Sequence, residues 1–324
     1  MTAPGVVVIG RNEGERLRRC LTSVMPHAQA VVYVDSGSTD GSTAMARSLG
    51  ATVVDLDLCR PFTAARARNE GLRRLRQVLP QVDTVQFVDG DCEVVDGWWP
   101  VAQAFFGAHP EVAAVCGRRR ERHPDSSVYN LLCDIEWNTP VGRAKACGGD
   151  ALMRVAALTQ VGGFRDELIA GEEPELCVRL RAANWQVWRL DADMTLHDAA
   201  MTRFGQWWRR AMRAGYAFAE GAHLHGGPPE RHWVRESRSA MAWGLALPAA
   251  VLLLAALFGP AALGLLALYP LQVMRLFAGA CGSARVRLAR SAFLVLGKFA
   301  EAAGELRFHA QRLRHRPAGL IEYK

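Results

Sequence analysis

Residues 85–94 read VQFVDGDCEV. An apolar run, Val85, Phe87 and Val88, ends by placing Asp89 and Asp91 two residues apart with a glycine between them. Strands often end in Asp-Gly turns whose acids are simply solvated. The sharper reading is that two carboxylates at the carboxyl end of a strand hold a divalent cation. The stretch alone does not decide; its surroundings do.

Upstream, short β-branched runs alternate with helix-like segments. GVVVIG (5–10), AVVYVD (30–35), ATVVDLD (51–57) and VDTVQFVD (82–89) read as strands. EGERLRRCLTSVM (13–25) reads as a helix with Leu17, Cys20, Leu21 and Val24 on one face, and STDGSTAMARSLG (38–50) as a helix closed by glycine. AARARNEGLRRLRQVL (64–79) reads as a long basic helix. Strand, helix, strand, helix predicts an α/β fold: a mostly parallel, Rossmann-like sheet with helices on both faces. Ligands bind such sheets beyond the carboxyl ends of the strands, and Asp35 and Asp89 both sit there. No Gly-rich dinucleotide fingerprint follows the first strand and no Walker-type loop occurs. Residues 117–200 are less regular: 148–164 predicts a turn, a helix and a glycine stop, and GEEPELCVRLRAANW (171–185) an acidic turn opening a helix. Glu172 and Glu173 would sit at that N-terminus, where the helix dipole favours negative charge and acids are commonplace.

Half of the 324 residues are hydrophobic and 22% are charged, which fits a folded protein with a large core. The net charge of +7 hides an asymmetry. Residues 1–201 carry 22 Lys/Arg against 26 Asp/Glu, and residues 202–324 carry 17 against 6. A basic tail beside an apolar stretch points to an anionic membrane surface or phosphate-bearing partners. No nucleic-acid-binding pattern accompanies it, so nucleic acid is not an expected partner. The eight cysteines form no CxxC pair, which leaves buried thiols in a reducing compartment as the simplest account. The chain opens directly into VVVIG without the features of a secretory signal.

From Ser239 to Met274 runs a stretch of 36 residues without Lys, Arg, Asp or Glu. One helix crosses a bilayer in about 20 residues, and FGPAA (258–262) divides the stretch in two. A helical hairpin over about 239–280 is expected, with a buried helical pair in a soluble core as the competing reading. Arginines on both flanks place both ends on the cytoplasmic side of the plasma membrane. Residues 289–316 predict an amphipathic basic helix lying along the headgroups. The expected domains are 1–220 and 221–324.

Taken together, four blocks in order over roughly residues 5–215 resemble the inverting family 2 glycosyltransferases of the GT-A type. They are VVVIGRNEGERLRRCLTSV, VVYVDSGSTDGS, FVDGDCE and GEEPELCVRLRAANW. The resemblance implies that Asp91, the second acid of a DxD motif, holds Mn²⁺ or Mg²⁺ together with the donor diphosphate. It implies further that Asp89 reaches the ribose or a metal-bound water, and that Asp35 and Glu13 meet the nucleoside. Glu173 matches the general base, with Glu172 as the alternative. The family's Asp-Asp is Asp35-Ser36 here, which removes one acid from the nucleobase pocket; uridine remains the favoured base. Softer implications are Arg66 and Arg68 near the diphosphate, against solvated helix arginines, and His197 on the metal, against a structural histidine. Asp150 is implied on sugar hydroxyls, and Trp207, Trp208, Arg209, Arg210 and Arg213 at a lipid interface, against ordinary surface amphipathy.

The expected activity is therefore transfer of a sugar from a nucleotide-diphospho-sugar to a lipid-linked or glycan acceptor at the cytoplasmic membrane face. Two alternatives stay open: a polyprenyl-phosphate sugar synthase, whose anionic acceptor needs no base, and an inactive membrane-tethered nucleotide-sugar-binding protein.

Overall fold

Four β-branched runs build one half of a nine-stranded sheet. In the computed structural model, which describes residues 3–314 and residue 321, they are β1 (Gly5–Gly10), β2 (Ala30–Asp35), β3 (Thr52–Asp55) and β4 (Thr84–Asp89). They run parallel in the order β3-β2-β1-β4. Val6, Val7 and Val8 are all fully buried. Successive strand residues point to opposite faces, so both faces of the sheet are covered at β1, and each such valine contributes about 1.5–3 kcal/mol by its burial. The crossovers carry α1 (Glu15–Val24), α2 (Ser42–Ser48) and α3 (Ala64–Val78).

Residues 92–197 complete the sheet with β5 (Cys92–Val94), β6 (Val112–Glu121), β7 (Gly142–Arg143), β8 (Ala151–Arg154) and β9 (Gln186–His197). Beyond β4 the order continues β8-β6-β9-β5, with β7 beside β9. β8 is antiparallel to both β4 and β6, whereas β6 and β9 are parallel. The region that looked irregular in the sequence is thus half of a mixed sheet. Its helices are α4 (Trp98–Ala108), α5 (Val128–Trp137), α6 (Val155–Val161) and α7 (Glu172–Ala182).

The chain divides into two compact units, one ending at Ala200 and the other beginning at Met201. The boundary expected at 220 falls instead inside α8 (Phe204–His225), because α8 packs on the helices that follow it. Those are α9 (Val234–Met241), a π-helical segment (Ala242–Ala246), α10 (Leu247–Phe258), a 3-10 stretch (Pro260–Ala267), α11 (Leu268–Gly279) and α12 (Ala284–Leu313). Two of the resulting spans, Val234–Phe258 and Pro260–Gly279, are long and apolar enough to cross a membrane, and almost nothing in them is buried within the protein. Among the described residues nothing covers these spans, which is not the burial a helical pair in a soluble core would show.

α12 is the basic helix expected from about residue 289, and one of its faces packs along α8, α9, α11 and the π segment. A Cβ added at Gly304 would sit 1.9 Å from the Met212 carbonyl oxygen of α8, so only glycine permits this crossing. Ser291, Val295, Ala300 and Phe308 are buried on the same helix. Residues 315 and 316 of the expected helix lie outside the described residues.

Candidate active site at the carboxyl rim of the sheet

Register puts the acids of the first strands on one edge. Gly10 lies opposite Asp35, and Ile9 opposite Asp89, so the two aspartates flank the end of β1. After Asp89 the Gly90 N–H donates to the Ile9 carbonyl at 2.8 Å, which turns the chain into β5. The Asp-Gly turn is real, but it does not leave its acids to solvent.

Asp89 is gripped by two arginines. Its Oδ1 lies 2.8 Å from Arg68 Nη2 and its Oδ2 3.1 Å from Arg119 Nη2. Arg68, itself only 2% exposed, also reaches Glu172 Oε1 at 2.8 Å and Glu173 Oε1 at 2.9 Å. One guanidinium therefore joins the end of β4 to the start of α7. Gly149 makes room for this: a Cβ there would lie 2.6 Å from Arg68 Nη2 and 2.7 Å from Asp89 Oδ2. Burial opposes the Arg68 cation, but Glu173, Asp89 and Glu172 outweigh it and hold its pKa above the ordinary value. Burial, reinforced by Glu172, pushes Glu173 up to about 7 despite Arg68.

Asp91 pairs with His197. Its Oδ2 is 3.2 Å from His197 Nε2, and His197 Nδ1 faces Glu121 Oε2 at 3.6 Å. The pairing follows from topology, since β5 runs antiparallel to β9 with Cys92 opposite His197. Burial lowers the imidazole pKa, which favours the neutral ring that binds metals. The donor set could hold a divalent cation that takes mixed oxygen and nitrogen ligands: a buried carboxylate beside a buried neutral imidazole, with a second carboxylate behind the ring. Cys92 completes the cluster by position only, because burial raises its pKa and keeps the thiol protonated.

Other predicted residues have different tasks. Two residues apart on α3, Arg66 and Arg68 point in nearly opposite directions, so both cannot serve one diphosphate. Arg66 holds the preceding loop instead, donating to the carbonyls of Asp57, Arg60 and Pro61 at 2.5–3.0 Å. Asp150 does not reach the cleft. It is buried, and its oxygens accept from the Asp89 N–H at 3.0 Å and the Thr195 hydroxyl at 2.7 Å while Arg119 lies 2.9 Å away. Asp35 accepts from the Tyr33 hydroxyl and from the N–H groups of Gly37 and Ser38 at 2.7–2.9 Å, which shapes the loop after β2. Asn12, at φ 55°, ties the loop after β1 to it by accepting from the Thr39 N–H. Glu13 pairs with Arg16 at 2.7 Å.

Arg119 and Glu121 were missed. Alternation on a strand sets them on one face within RRRE, and that was the only available signal. In the second unit, Trp207 is buried edge-on against Phe293 at 4.8 Å rather than lying at an interface. Trp208 and Arg209, with Phe204 and Gly205, line an open pocket of about 430 Å³. Arg210 and Arg213 are half-buried on the same helix.

Residues 5–145 match the family model described as Glycosyl transferase family 2. The match covers less than half of the chain, and this part is similar to that family. A TPR repeat-containing protein of Synechococcus elongatus is 28% identical over 140 residues, covering 43% of this chain and 33% of its own, so the match spans a third of that relative's length. Among solved structures, the mannosyltransferase PcManGT from Pyrobaculum calidifontis, in complex with GDP-Man and Mn²⁺, is similar with a TM-score of 0.64 at 20% identity, covering 94% of this chain and 88% of that one. TarS (1–349) from S. aureus gives 0.52 at 16% identity, covering 90% of each. The fold is GT-A. The family 2 segment ends before α7, so the acidic pair is brought to the site by the fold rather than by the matched sequence.

Proposed function

We propose that this glycosyltransferase moves a sugar from a nucleotide-diphospho-sugar to a hydroxyl of a lipid-linked or glycan acceptor, inverting the anomeric centre, at the cytoplasmic face of a membrane. The observation that carries the reading is the meeting of the Asp89–Asp91 arm and the Glu172–Glu173 pair around Arg68. Two residues of chain span at most about 7 Å, which keeps the Asp91 backbone within that distance of Asp89.

In this reading Asp91 and His197 would hold Mn²⁺ or Mg²⁺, which when bound offsets the charge developing on the departing diphosphate. Asp35 and Glu13 face the nucleoside, and Asp89 the ribose. Glu173 takes the acceptor's proton as the hydroxyl oxygen attacks the anomeric carbon and the bond to the diphosphate breaks. A base with a pKa near 7 suits that transfer at neutral pH. Glu173 is also the more open of the pair, at 12% against 5%, and so the better placed to meet an acceptor. The apolar spans with arginines on both flanks support a membrane hairpin, and Trp208, Arg209, Arg210 and Arg213 are the residues for a lipid phosphate. UDP-sugars are the first donors to try, with GDP-mannose, the neighbour's ligand, beside them.

The test is a screen of nucleotide sugars for Mn²⁺-dependent protection against thermal unfolding, followed by turnover of the best donor by wild type and Glu173→Gln. Protection by one donor, with turnover lost in the variant, supports the reading. A variant that stays active points to a lipid-phosphate acceptor that needs no base, and the absence of both protection and turnover would sink the transferase assignment.

A further inference from the structure

We propose that Arg68 is a positioning residue, a single buried guanidinium that sets the spacing between the donor-binding end of β4 and the base-bearing start of α7. The inference rests on the glycosyltransferase reading of the site, but its geometry stands apart from any ligand.

Arg68 has no route to a diphosphate. Its guanidinium is enclosed by three carboxylates from two segments more than eighty residues apart in sequence, at 2.8–2.9 Å. The Phe164 ring lies 5.7 Å from its Cζ, and the Gly149 backbone presses where a side chain would strike it. A planar fork with fixed donor directions transmits position in a way that a flexible ammonium does not. α7 itself begins after Gly171 at φ 78°, without a side-chain cap, so the arginine is the ligand that anchors Glu172 and Glu173 on the sheet side. Asp89 in turn is fixed from the far side by Arg119, which leaves Arg68 as the link between the two halves.

Two variants separate this role from a donor contact. Arg68→Lys keeps the charge and loses the fork; Gly149→Ala keeps the arginine and drives a methyl group against the Arg68–Asp89 pair. The first readout is amide hydrogen exchange on the full chain without nucleotide. Exchange is expected to rise together at residues 88–92 and 171–176 in both variants, with β1 and β2 unchanged; a rise at one segment alone, or at neither, overturns the proposal. The second readout is kinetic, using Mn²⁺ and whichever of GDP-mannose or the UDP-sugars wild type turns over. A misplacement of about 1 Å costs on the order of 100-fold, so kcat is expected to fall by that order while the donor KM stays within about threefold. A raised KM with kcat intact overturns it and makes Arg68 a donor ligand. Wild type that turns over none of these donors, with the exchange coupling present, would count against the transferase assignment and leave the link itself supported.

Discussion

The two units of this chain hide opposite things. The sheet unit buries charge: Arg66, Arg68, Asp91, Glu121, Asp150, Glu172, Glu175, Arg189 and His197 are all buried. The helical unit, among its described residues, buries only Ser291 and Glu305 of the polar kind, and exposes Leu252 at 66%, Leu257 at 65% and Phe258 at 77%. Buried charge is costly unless paired and hydrogen-bonded, so the first pattern is retained where chemistry needs it. Contiguous exposed leucines are equally costly in water, so the second pattern fits a solvent that is not water. The difference fits the proposal that each unit is folded for a different medium, with reactivity in one and membrane attachment in the other.

That contrast can be broken at several points. Glu173→Gln should have the largest effect, lowering turnover by about 10²–10⁴-fold while the melting temperature holds. As the proposed base Glu173 would act deprotonated, and burial with Glu172 beside it pushes its pKa up to about 7; on that role the rate should climb about tenfold per pH unit below that value and level off above it, a limb absent from Glu173→Gln. Arg68→Met leaves three carboxylates without their shared cation, and denaturant titration should show a loss of about 3–5 kcal/mol. Leu253→Arg sharpens the other side of the comparison. A cation at mid-bilayer depth costs about 2.5–3.5 kcal/mol, so the variant should lose vesicle association in flotation assays, whereas a leucine merely exposed to water could be replaced with little consequence. Gly304→Leu should loosen the α8–α12 crossing by about 1–3 kcal/mol or more, read as faster hydrogen exchange along both helices. The smallest change is expected at Thr63, whose hydroxyl caps α3 by accepting from the Arg66 N–H at 3.1 Å; Thr63→Ala should cost about 1 kcal/mol by thermal melting.

The legible parts of the fold were those where local pattern and final environment agree. β1 and β2 run over the residues their β-branched runs predicted, and α7 opens at the expected acidic turn. β8 was hidden because four residues, ALMR, merge into the helix pattern that follows. β6 and β9 were hidden because they carry charges a strand reading disfavours. Those charges are matched by long-range partners, Arg118 with Asp134, Arg119 with Asp150 and Arg120 with Asp193. At the site, the acids announced themselves by type and order, while the arginines did not: nothing near residue 68 says that its partners lie at 89, 172 and 173. In the tail the basic amphipathic pattern of α12 was legible, but not that its small residues Gly297, Ala300 and Gly304 are buried, with Gly304 at the crossing with α8.

The most direct trial of the whole account is a crystal of the protein grown with Mn²⁺ and the protecting nucleotide sugar, measured at the manganese absorption edge. One anomalous peak coordinated by Asp91 and His197, with the sugar lying between it and Glu173, is the expected result. Manganese bound elsewhere, or a donor whose anomeric carbon faces away from Glu173, would contradict it.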